Sequence, residues 1–304
     1  MSVDLFSDIL KLARTNALVT GGFTAGGAWA LRFPVPKVVK FFAVVKGQCH
    51  VLIDGEPEPL LFQAGDVGLL SARRAFTLAS DPGVTPVDAM TLFTERCGRK
   101  EAVLGDGEDF AYLGGHVLFD PLCGQLLLDI LPPWFHVKAS SAQADTLRWL
   151  LAQLVEEQSH HEPGAELAAA QLAQLLFIQI LRSYVKSGVA TEAGWLKVLQ
   201  APRIAPALAM LHGDPARNWR LEELARGCAM SRTTFALRFR EAAGLAPMAY
   251  LQAWRMHLAR GALRTERTAV AAVAESLGFS STSAFSNAFR RITGYSPTQY
   301  QNLT

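Results

Sequence analysis

The sequence contains few cysteines. There are four in 304 residues (Cys49, Cys97, Cys123 and Cys228), and no two of them have C-x-x-C spacing. This scarcity argues against a disulfide framework and against a zinc knuckle. We therefore expect buried, reduced thiols. A redox-sensing cysteine is the alternative, because thiolate reactivity depends on surroundings that the sequence does not show.

Long apolar segments are also missing. The stretch from Met1 to Leu12 includes two aspartates and a lysine, which favours a short amphipathic helix over a secretion signal. The nearest candidate for a membrane span, Leu172 to Leu181, is interrupted by two glutamines. It is also far shorter than the roughly 20 residues that a spanning helix needs. The sequence predicts a cytoplasmic protein with no membrane partner.

Lysine is nearly absent from the C-terminal third, where arginine replaces it. From Leu196 to Thr304 there are 13 arginines and one lysine against 6 acidic residues, a net charge of +8, while the rest of the chain has a net charge of −6. A basic third on an acidic body predicts a polyanion as the partner of that third. The forked guanidinium group suits contacts to phosphates and to guanine edges.

The first hundred residues have the pattern of β structure. Phe41 to Gly47 is typical of a strand that leads into a turn, and His50 to Ile53 is typical of a second strand. The pair Asp54-Gly55 between apolar runs is a strong hairpin signal. Further short strands are predicted at Leu60–Phe62, Val67–Leu70 and Phe76–Leu78. This spacing of strands and turns predicts a small barrel or sandwich.

After Leu131-Pro132-Pro133 the apolar period becomes helical. Leucines and other apolar residues recur at helical spacing from Leu147 to Val155 and again from Leu172 to Gln179, on either side of a Pro163-Gly164 turn. Such a hairpin has more apolar surface than one small barrel needs, which favours a homodimer formed through residues 141–186. Packing on the core of the same chain is the alternative.

From Pro202 onward the sequence predicts an all-α domain. Short connectors between the apolar-periodic stretches favour compact, crossing helices. The predicted helices are Arg203–His212, Leu221–Gly227, Arg232–Ala243, Met248–Leu263, Ala269–Leu277 and Thr282–Ile292.

A duplicated segment lies within this basic, helical third. Ser231 to Gly244 and Ser281 to Gly294 have serine, two phenylalanines, arginine and glycine at the same places, and the match continues into the next proline and tyrosine. Upstream of each copy is an apolar helix with a small alanine, then a short turn with a glycine, Gly227 or Gly278. This order of elements indicates a helix-turn-helix unit.

The periodicity of the second helix in each unit separates a packed face from a free face. On a wheel of about 100° per residue, the inner faces hold Phe235, Phe239 and Ala242 in the first copy and Phe285, Phe289 and Ile292 in the second. The outer faces hold Thr233, Leu237 and Arg240 in the first copy and Ser283, Asn287 and Arg290 in the second. A helix with a face of short, polar or basic residues can enter a major groove of about 12 Å.

The ends of these helices and their arginines favour contacts to the phosphate backbone. Ser231 and Ser281 are predicted N-caps, and free N–H groups at a helix start attract phosphate. Phosphate contacts are also expected from Arg232, Arg238, Arg240, Arg290 and Arg291. The alternative is a pair of packed helical hairpins whose arginines are solvated. Two tandem copies in the only basic part of the chain disfavour this alternative.

A rigid connector joins the two predicted units. Met248 to Leu263 has no proline and no glycine before Gly261. At 1.5 Å per residue this helix is about 24 Å long. The two units extend beyond the ends of this helix. Their second helices, the reading helices, can therefore lie on successive major-groove faces, roughly 34 Å apart.

The stretch from about Trp195 to Tyr300 resembles the DNA-binding domain of AraC/XylS-type transcription regulators. Its most specific part is Leu277-Gly278-Phe279-Ser280-Ser281-x-x-x-Phe285-x-x-x-Phe289-Arg290-x-x-x-Gly294-x-Ser296-Pro297. The resemblance implies two helix-turn-helix units joined by a long helix, with double-stranded DNA as the partner.

The same resemblance implies base-contacting positions at Thr233, Ala236 and Leu237 in the first reading helix and at Thr282, Ser283, Ser286 and Asn287 in the second. Leu237 departs from the arginine or polar residue that the family often has there. Either Leu237 contacts a thymine methyl group, or the first unit reads less sequence than the second.

The N-terminal half resembles, more loosely, the cupin sensor domain of one branch of this family. The residues that carry the resemblance are Phe41–Gly47, Ile53-Asp54-Gly55, Gly65-Asp66-Val67 and Ala79-Ser80-Asp81-Pro82. The resemblance implies a sensor for a small molecule or a redox signal. We expect Trp29, Arg32, His50 and Phe76 to line the effector pocket, although each of them also suits an ordinary core or surface position.

A metal-dependent cupin enzyme with an accessory DNA-binding domain is the alternative function. Such an enzyme needs several imidazoles and a carboxylate around one ion, and His50 is the only histidine before Gly115. Phe76 stands where the sensor branch often has a histidine. The Cys49-His50 pair is disfavoured as a thiol switch, because neighbours on a strand point to opposite faces. The polar turn from Gln158 to Glu162 is expected to be solvated.

The sequence therefore predicts a multidomain α+β regulator that is not an enzyme. A cupin-like β-barrel or sandwich occupies residues 1–140, a helical dimerisation and linker segment residues 141–195, and an all-α AraC-type domain with two helix-turn-helix units residues 196–304. The expected partners are double-stranded DNA, a small-molecule or redox effector, RNA polymerase and a second copy of the chain. No catalytic residue, metal or cofactor is predicted.

Overall fold

The chain divides into two compact units. The computed structural model describes residues 5–71, 74–94, 101–119, 128, 131–141, 144–160, 162–188, 197–198, 200–265 and 268–302. One unit holds the β-strands and the two long helices that follow them. The other holds the C-terminal helices and the first helix of the chain, α1 (Leu5–Leu12).

The strand-rich unit is built from two β-sheets. The strands are β1 (Asn16–Ala25), β2 (Ala30–Phe33), β3 (Val39–Lys46), β4 (Gln48–Ile53), β5 (Leu60–Gln63), β6 (Val67–Leu70), β7 (Phe76–Ala79), β8 (Val87–Asp88), β9 (Glu101–Leu104), β10 (Phe110–Leu118) and β11 (Trp134–Val137), with a short helix α2 (Ala89–Thr94) after β8. The six-stranded sheet has the order β11-β6-β3-β10-β1-β9, and the five-stranded sheet has the order β5-β4-β7-β2-β8.

The two sheets pack face to face on one apolar core. Alternate residues of β3, among them Phe42 and Val44, meet alternate residues of β4 and β7 such as Val51 and Leu78. This alternation follows from the period of two of a strand, which gives each sheet one core-facing side. The described strands form two separate sheets rather than one closed barrel, so the sandwich is the architecture that the chain adopts.

Two helices, α3 (Ala144–His160) and α4 (Ala165–Ser187), complete this unit. They pack against each other, and α4 covers β1. Gln174 on α4 ties the helix to the start of the sheet: its Oε1 accepts from Ala17 N at 3.0 Å, and its Nε2 donates to Thr15 Oγ1 at 2.7 Å. These two helices therefore belong to the same compact unit as the sheets.

The predicted division into residues 1–140, 141–195 and 196–304 separated these helices from the sheets, and it stays a prediction. The helix α1 contacts the C-terminal helices and is grouped in their compact unit. The apolar period of a helix shows that one face will be buried, but it does not show which surface will cover that face.

The helical unit contains α5 (Ala205–Gly213), α6 (Leu221–Gly227), α7 (Arg232–Ala243), α8 (Pro247–Thr265), α9 (Val270–Ser276), α10 (Thr282–Thr293) and α11 (Pro297–Gln301). The helices α5 to α10 confirm the six predicted helices, with ends that differ by at most two residues, whereas α11 was not predicted. The predicted N-terminal helix is confirmed as well, and it packs against α5 and α8. No described helix is both long enough and apolar enough to cross a membrane.

Candidate nucleic-acid interface

The helical unit contains two helix-turn-helix units, α6–α7 and α9–α10. The two turns have the same hydrogen bond: Met230 N donates to Ala225 O at 2.9 Å, and Phe279 N donates to Ala274 O at 3.0 Å. This bond spans the end of a helix in a Schellman motif, which needs one left-handed residue. The sequence repeat is therefore also a repeat of backbone structure.

The left-handed residue differs between the two turns. Gly278 takes this conformation in the second turn with φ of 74°, as a glycine readily does. In the first turn Ala229 takes it, with φ of 50°. The prediction that Gly227 lies in the first turn is therefore wrong. Gly227 is the last residue of α6, where a Cβ would come within 2.6 Å of Met210 Sδ. A turn glycine and a packing glycine look the same in a sequence.

Serine caps begin both reading helices, as predicted. The Oγ atoms of Ser231 and Ser281 accept a hydrogen bond from the backbone N–H three residues later, at 3.2 Å and 3.1 Å. Both helices end at a glycine in the left-handed conformation, Gly244 and Gly294. The repeated serine and glycine thus define the two ends of α7 and α10.

Paired phenylalanines anchor each reading helix. All four side chains are fully buried: Phe235 and Phe239 in α7, and Phe285 and Phe289 in α10. The second ring of each pair meets the repeated tyrosine edge-on, with centroids 5.6 Å apart for Tyr250 and 5.2 Å apart for Tyr300. The predicted inner faces are confirmed at these positions.

Ile292 is an exception to the predicted inner face. Its side chain is 41% exposed, whereas Ala242 at the corresponding position of α7 is buried. Ala288 completes the buried face of α10 instead. Position 292 lies in the last turn of the helix. Periodicity gives the side on which a residue lies, but not how far along the helix the packing partner extends.

The opposite faces of α7 and α10 are open to solvent. The exposed positions are Thr233, Leu237 and Arg240 on α7 and Thr282, Ser283, Asn287, Arg290 and Arg291 on α10, with Ala236 and Ser286 half-buried beside them. Leu237 is 59% exposed and lies among polar neighbours. The geometry brings together on each helix the outer residues that the sequence predicted.

Two of the predicted phosphate contacts have neighbours within the protein. Arg232 Nη1 lies 3.0 Å from Glu222 Oε1, with both side chains exposed. Such an exposed ion pair contributes little energy, so a phosphate can replace the carboxylate. Arg238 lies at the edge of the buried face of α7 and, with Glu241, lines a cavity of about 450 Å³. Arg238 is therefore farther from the centre of the outer face than Arg240.

The two reading helices differ at the position that follows the repeated arginine. The positions after Arg240 and Arg290 hold Glu241 and Arg291, respectively. Both of these residues are exposed. Because α7 also carries the exposed Arg232 and Arg238, both reading helices have a net charge of +2.

The connector α8 has 19 residues, about 28 Å at 1.5 Å per residue. Its side chains Leu251, Trp254 and Leu263 are buried. Sequence reasoning missed the role of Arg255. Its guanidinium donates to the carbonyl oxygens of Pro215, Ala216 and Arg217 at 2.6, 3.3 and 3.0 Å. No local signal predicts these contacts, because the partners lie about 40 residues away in the chain.

The four residues predicted to line an effector pocket occupy different places in the strand-rich unit. Trp29 is buried in the core, edge-on to the ring of Phe23 at 5.3 Å. Arg32 forms a surface ion pair with Asp54 at 2.6 Å. His50 Nδ1 lies 3.3 Å from the carbonyl oxygen of Ser80. Phe76, the fourth of them, lines a cavity of about 230 Å³.

Two of the four thiols lie within the described residues, and both are buried and free. Burial raises the pKa of Cys49 to about 12, with a further contribution from the charge of Asp66. Burial also raises the pKa of Cys228. Both thiols therefore stay protonated and weakly nucleophilic at neutral pH. The prediction of buried thiols is confirmed for these two, while Cys97 and Cys123 lie outside the described residues.

Comparisons with known proteins agree with a strand-rich unit and two helix-turn-helix units. Residues 4–186 match a cupin family, and residues 224–303 match a helix-turn-helix domain family. An AraC-like transcription regulator of Streptomyces lividans is 40% identical over 299 residues, which is 98% of either chain. One of Streptomyces antibioticus is 38% identical over the same length and coverage.

A match among solved structures is the DNA-binding domain of the global transcriptional factor AdpA in complex with a target DNA. It is 36% identical, and the match covers 33% of this chain and 90% of that one with a TM-score of 0.31. The whole-chain identity to the two Streptomyces proteins and the two matched domain families lead to one conclusion: the chain belongs to the AraC family of DNA-binding transcription regulators and has a cupin domain at its N-terminus.

Proposed function

We propose that one molecule of this regulator places α7 and α10 in successive major-groove segments of one DNA site. The observation that carries the proposal is the orientation of these helices: the phenylalanine faces are buried, and the faces of short, polar and basic side chains are in solvent. The packed connector α8 keeps the two helices at a fixed separation, which a bipartite site requires.

The residues of the outer faces have separate roles in this proposal. Phosphate contacts come from Arg232, Arg238, Arg240, Arg290 and Arg291 and from the free N–H groups at the starts of α7 and α10. Base contacts come from Thr233, Ala236 and Leu237 in the first segment and from Thr282, Ser283, Ser286 and Asn287 in the second. Leu237 suits the methyl group of a thymine, and Asn287 suits the paired acceptor and donor of an adenine.

The test is to select binding sites for the full-length chain from random duplex DNA and to footprint the selected site. We expect two protected major-groove segments per molecule, about one helical turn or 10–10.5 base pairs apart. A site with a single protected segment would show that only one of the two helices reads DNA.

The helical hairpin of α3 and α4 is proposed as the homodimer surface, within residues 141–186. Large apolar side chains remain exposed on it: Trp149 at 56%, Leu167 at 68% and Leu175 at 38%. Leu167 and Leu175 are eight residues apart and lie on the same side of α4. Exposed apolar groups that cluster on one element are typical of an interface.

Sedimentation equilibrium of the full chain tests this surface. The double substitution Leu167→Glu and Leu175→Glu is expected to convert a dimer to a monomer. The control is Val35→Glu, which changes a 53% exposed valine in the loop after β2. A dimer that survives the double substitution would place the interface elsewhere.

The β-sandwich is proposed to sense an effector rather than to catalyse a reaction. The relatives are named as transcription regulators, and the two described thiols are poorly reactive, which favours a small molecule over a redox signal at those positions. A ligand can change DNA binding only by its differential affinity for two arrangements of the protein. In this proposal the protein works in the cytoplasm, together with RNA polymerase.

A metal-dependent cupin enzyme is the competing function. Metal analysis of the purified chain distinguishes the two functions, because a stoichiometric transition metal would favour the enzyme.

A further inference from the structure

A lysine faces the interior of the β-sandwich. Lys40 lies on β3, two residues before Phe42 and four before Val44, which both belong to the core between the sheets. Residues at even spacing on a strand share a face, so Lys40 is on the core-facing side of the sheet. With Phe33 and Phe76 of the opposite sheet, it lines the cavity of about 230 Å³.

The ammonium group of Lys40 has no counter-charge among the residues that the structure describes. No described carboxylate oxygen lies within 4.0 Å of it. Its partner across the strands β3 and β10 is His116. Burial lowers the pKa of Lys40, and burial together with Lys40 lowers the pKa of His116. A half-buried, unpaired amine costs folding energy that an apolar residue would not.

A second polar group at the cavity also lacks a partner. Tyr112 is 9% exposed, and within the described part of the chain its hydroxyl makes no hydrogen bond. The hydroxyl lies over Gly114, where a Cβ would come within 2.6 Å of it. Because residue 114 is a glycine, the Tyr112 hydroxyl has room at the cavity wall. Burial raises the pKa of Tyr112, so the phenol remains a neutral hydrogen-bond donor.

The remaining walls are flat and apolar. The rings of Phe33 and Phe76 stack in parallel, 4.8 Å apart and inclined by 4°. Met90 of α2 adds an adaptable apolar side chain. The cavity is smaller than the roughly 300–1,000 Å³ that is typical of drug-sized ligands. Its shape and size therefore suit a small molecule with an apolar body.

We propose that this cavity binds a small apolar monocarboxylate, with the carboxylate paired to Lys40. This inference rests on the proposed sensor role of the sandwich and gives the chemical class of its effector. The Lys40 ammonium donates a charge-assisted hydrogen bond to the carboxylate, and the Tyr112 hydroxyl donates a second one. The apolar body lies against Phe33 and Phe76. A neutral ligand of the same shape would leave the ammonium group unpaired and would bind less tightly.

The test is calorimetric titration of the full-length protein, without DNA, with phenylacetate and with hexanoate. Phenylacetamide serves as the neutral ligand of matched shape. The variant Lys40→Met removes the charge and keeps an apolar chain at a core-facing position, so we expect it to fold with an unchanged or higher Tm. Tyr112→Phe removes only the hydroxyl. The matched control is Lys46→Met at the end of the same strand, where the exposed Lys46 Nζ donates to the carbonyl oxygen of Glu108 at 2.6 Å.

We expect saturable binding of at least one of the two acids. That binding should be at least tenfold weaker in Lys40→Met, measurably weaker in Tyr112→Phe and unchanged in Lys46→Met. Phenylacetamide should bind at least tenfold more weakly than phenylacetate. The proposal is overturned if Lys40→Met binds the acids as the wild type does, if the amide binds equally well, or if neither acid binds saturably at millimolar concentration.

The DNA affinity of the same variants separates this proposal from the proposed function. Lys40→Met without ligand should bind the selected DNA site as the wild type does, because α7 and α10 are unchanged. If an acid binds through Lys40 but leaves DNA affinity unaltered, the ligand site stands and the sensor role fails. If the wild type protects only one DNA segment, the DNA-binding proposal fails whatever the cavity binds.

Discussion

The imidazole of His212 and the hydroxyl of Tyr250 lie 2.9 Å apart in the interior of the helical unit, where they join α5 to α8. The His212 ring also packs against Trp254, with centroids 3.8 Å apart. Burial lowers the pKa of His212 to about 3. Burial and the charge of Arg260 lower the pKa of His257, also on α8, to about 4. Both imidazoles are therefore neutral in the folded protein at neutral pH.

This neutrality predicts that the helical unit loses stability as the pH falls below about 6.5, the pKa of histidine in an unfolded chain. Between that pH and the lowered pKa values of His212 and His257, the unfolded state binds more protons than the folded state, so the free energy of unfolding decreases with decreasing pH. Urea unfolding of the full chain at neutral and at mildly acidic pH measures this change. His212→Gln should reduce the pH dependence; an unaltered dependence would exclude His212 as its source.

The turn of the first helix-turn-helix unit predicts a stabilising substitution. Ala229 has φ of 50° and is exposed. A left-handed residue with a Cβ costs about 1–2 kcal/mol, and the greater freedom of glycine in the unfolded chain offsets about 0.4–1 kcal/mol of the gain. Ala229→Gly should therefore raise the free energy of unfolding by roughly 0.5–1 kcal/mol. The same urea titration measures it.

The matching substitution in the second turn has the opposite sign. Gly278→Ala would place a Cβ against the carbonyl oxygen of Ala216, at φ of 74°. We expect it to destabilise the protein by more than Ala229→Gly stabilises it. If both substitutions had effects of the same sign, the left-handed assignment of Ala229 would be wrong.

The basic face of α10 predicts a change in the salt dependence of DNA binding. Arg290→Ala should weaken binding to all DNA sequences about equally and make the slope of log K against log salt shallower by about 1, because one phosphate contact is lost. Arg240→Ala should do the same in the first unit, and Arg238→Ala should do less, since Arg238 lies at the edge of its helix face. Filter binding over a range of salt concentrations measures the slopes.

The control for these variants is Arg74→Ala in the strand-rich unit, where Arg74 pairs with Glu56 at 2.8 Å. Its slope should equal that of the wild type. An unchanged slope in Arg290→Ala would refute the phosphate contact.

The polar face of α10 predicts a loss of specificity rather than of general affinity. Asn287→Ala, or Ser283→Ala on the same face, should cost about 1–3 kcal/mol at one or two base pairs of the segment that α10 reads. Leu237→Ala should instead weaken a thymine preference in the other segment. Affinities for a set of single-base variants of the selected site measure both effects. A uniform loss across all positions would contradict base reading by Asn287.

Much of the helical unit was predictable because its signals are local. The spacing of Phe285 and Phe289 predicted the buried face of α10, and Ser281 predicted its start, since caps and periodicity depend on a few neighbouring residues. The same signals predicted the exposure of Asn287 and Arg290. The exposure of Ile292 was not predictable, because it depends on the reach of a packing partner that is distant in the chain.

The sequence by itself determined the two helix-turn-helix units, the faces that their reading helices bury and expose, and the strand-rich character of the first half. Only the tertiary structure decided which surfaces α1, α3 and α4 cover, which carbonyl oxygens Arg255 reaches, and that Lys40 and Tyr112 face one cavity between two sheets. The physical reason is range. A helix cap or an apolar period is set by residues a few positions apart, whereas a cavity wall or a packed surface joins residues whose separation along the chain carries no pattern.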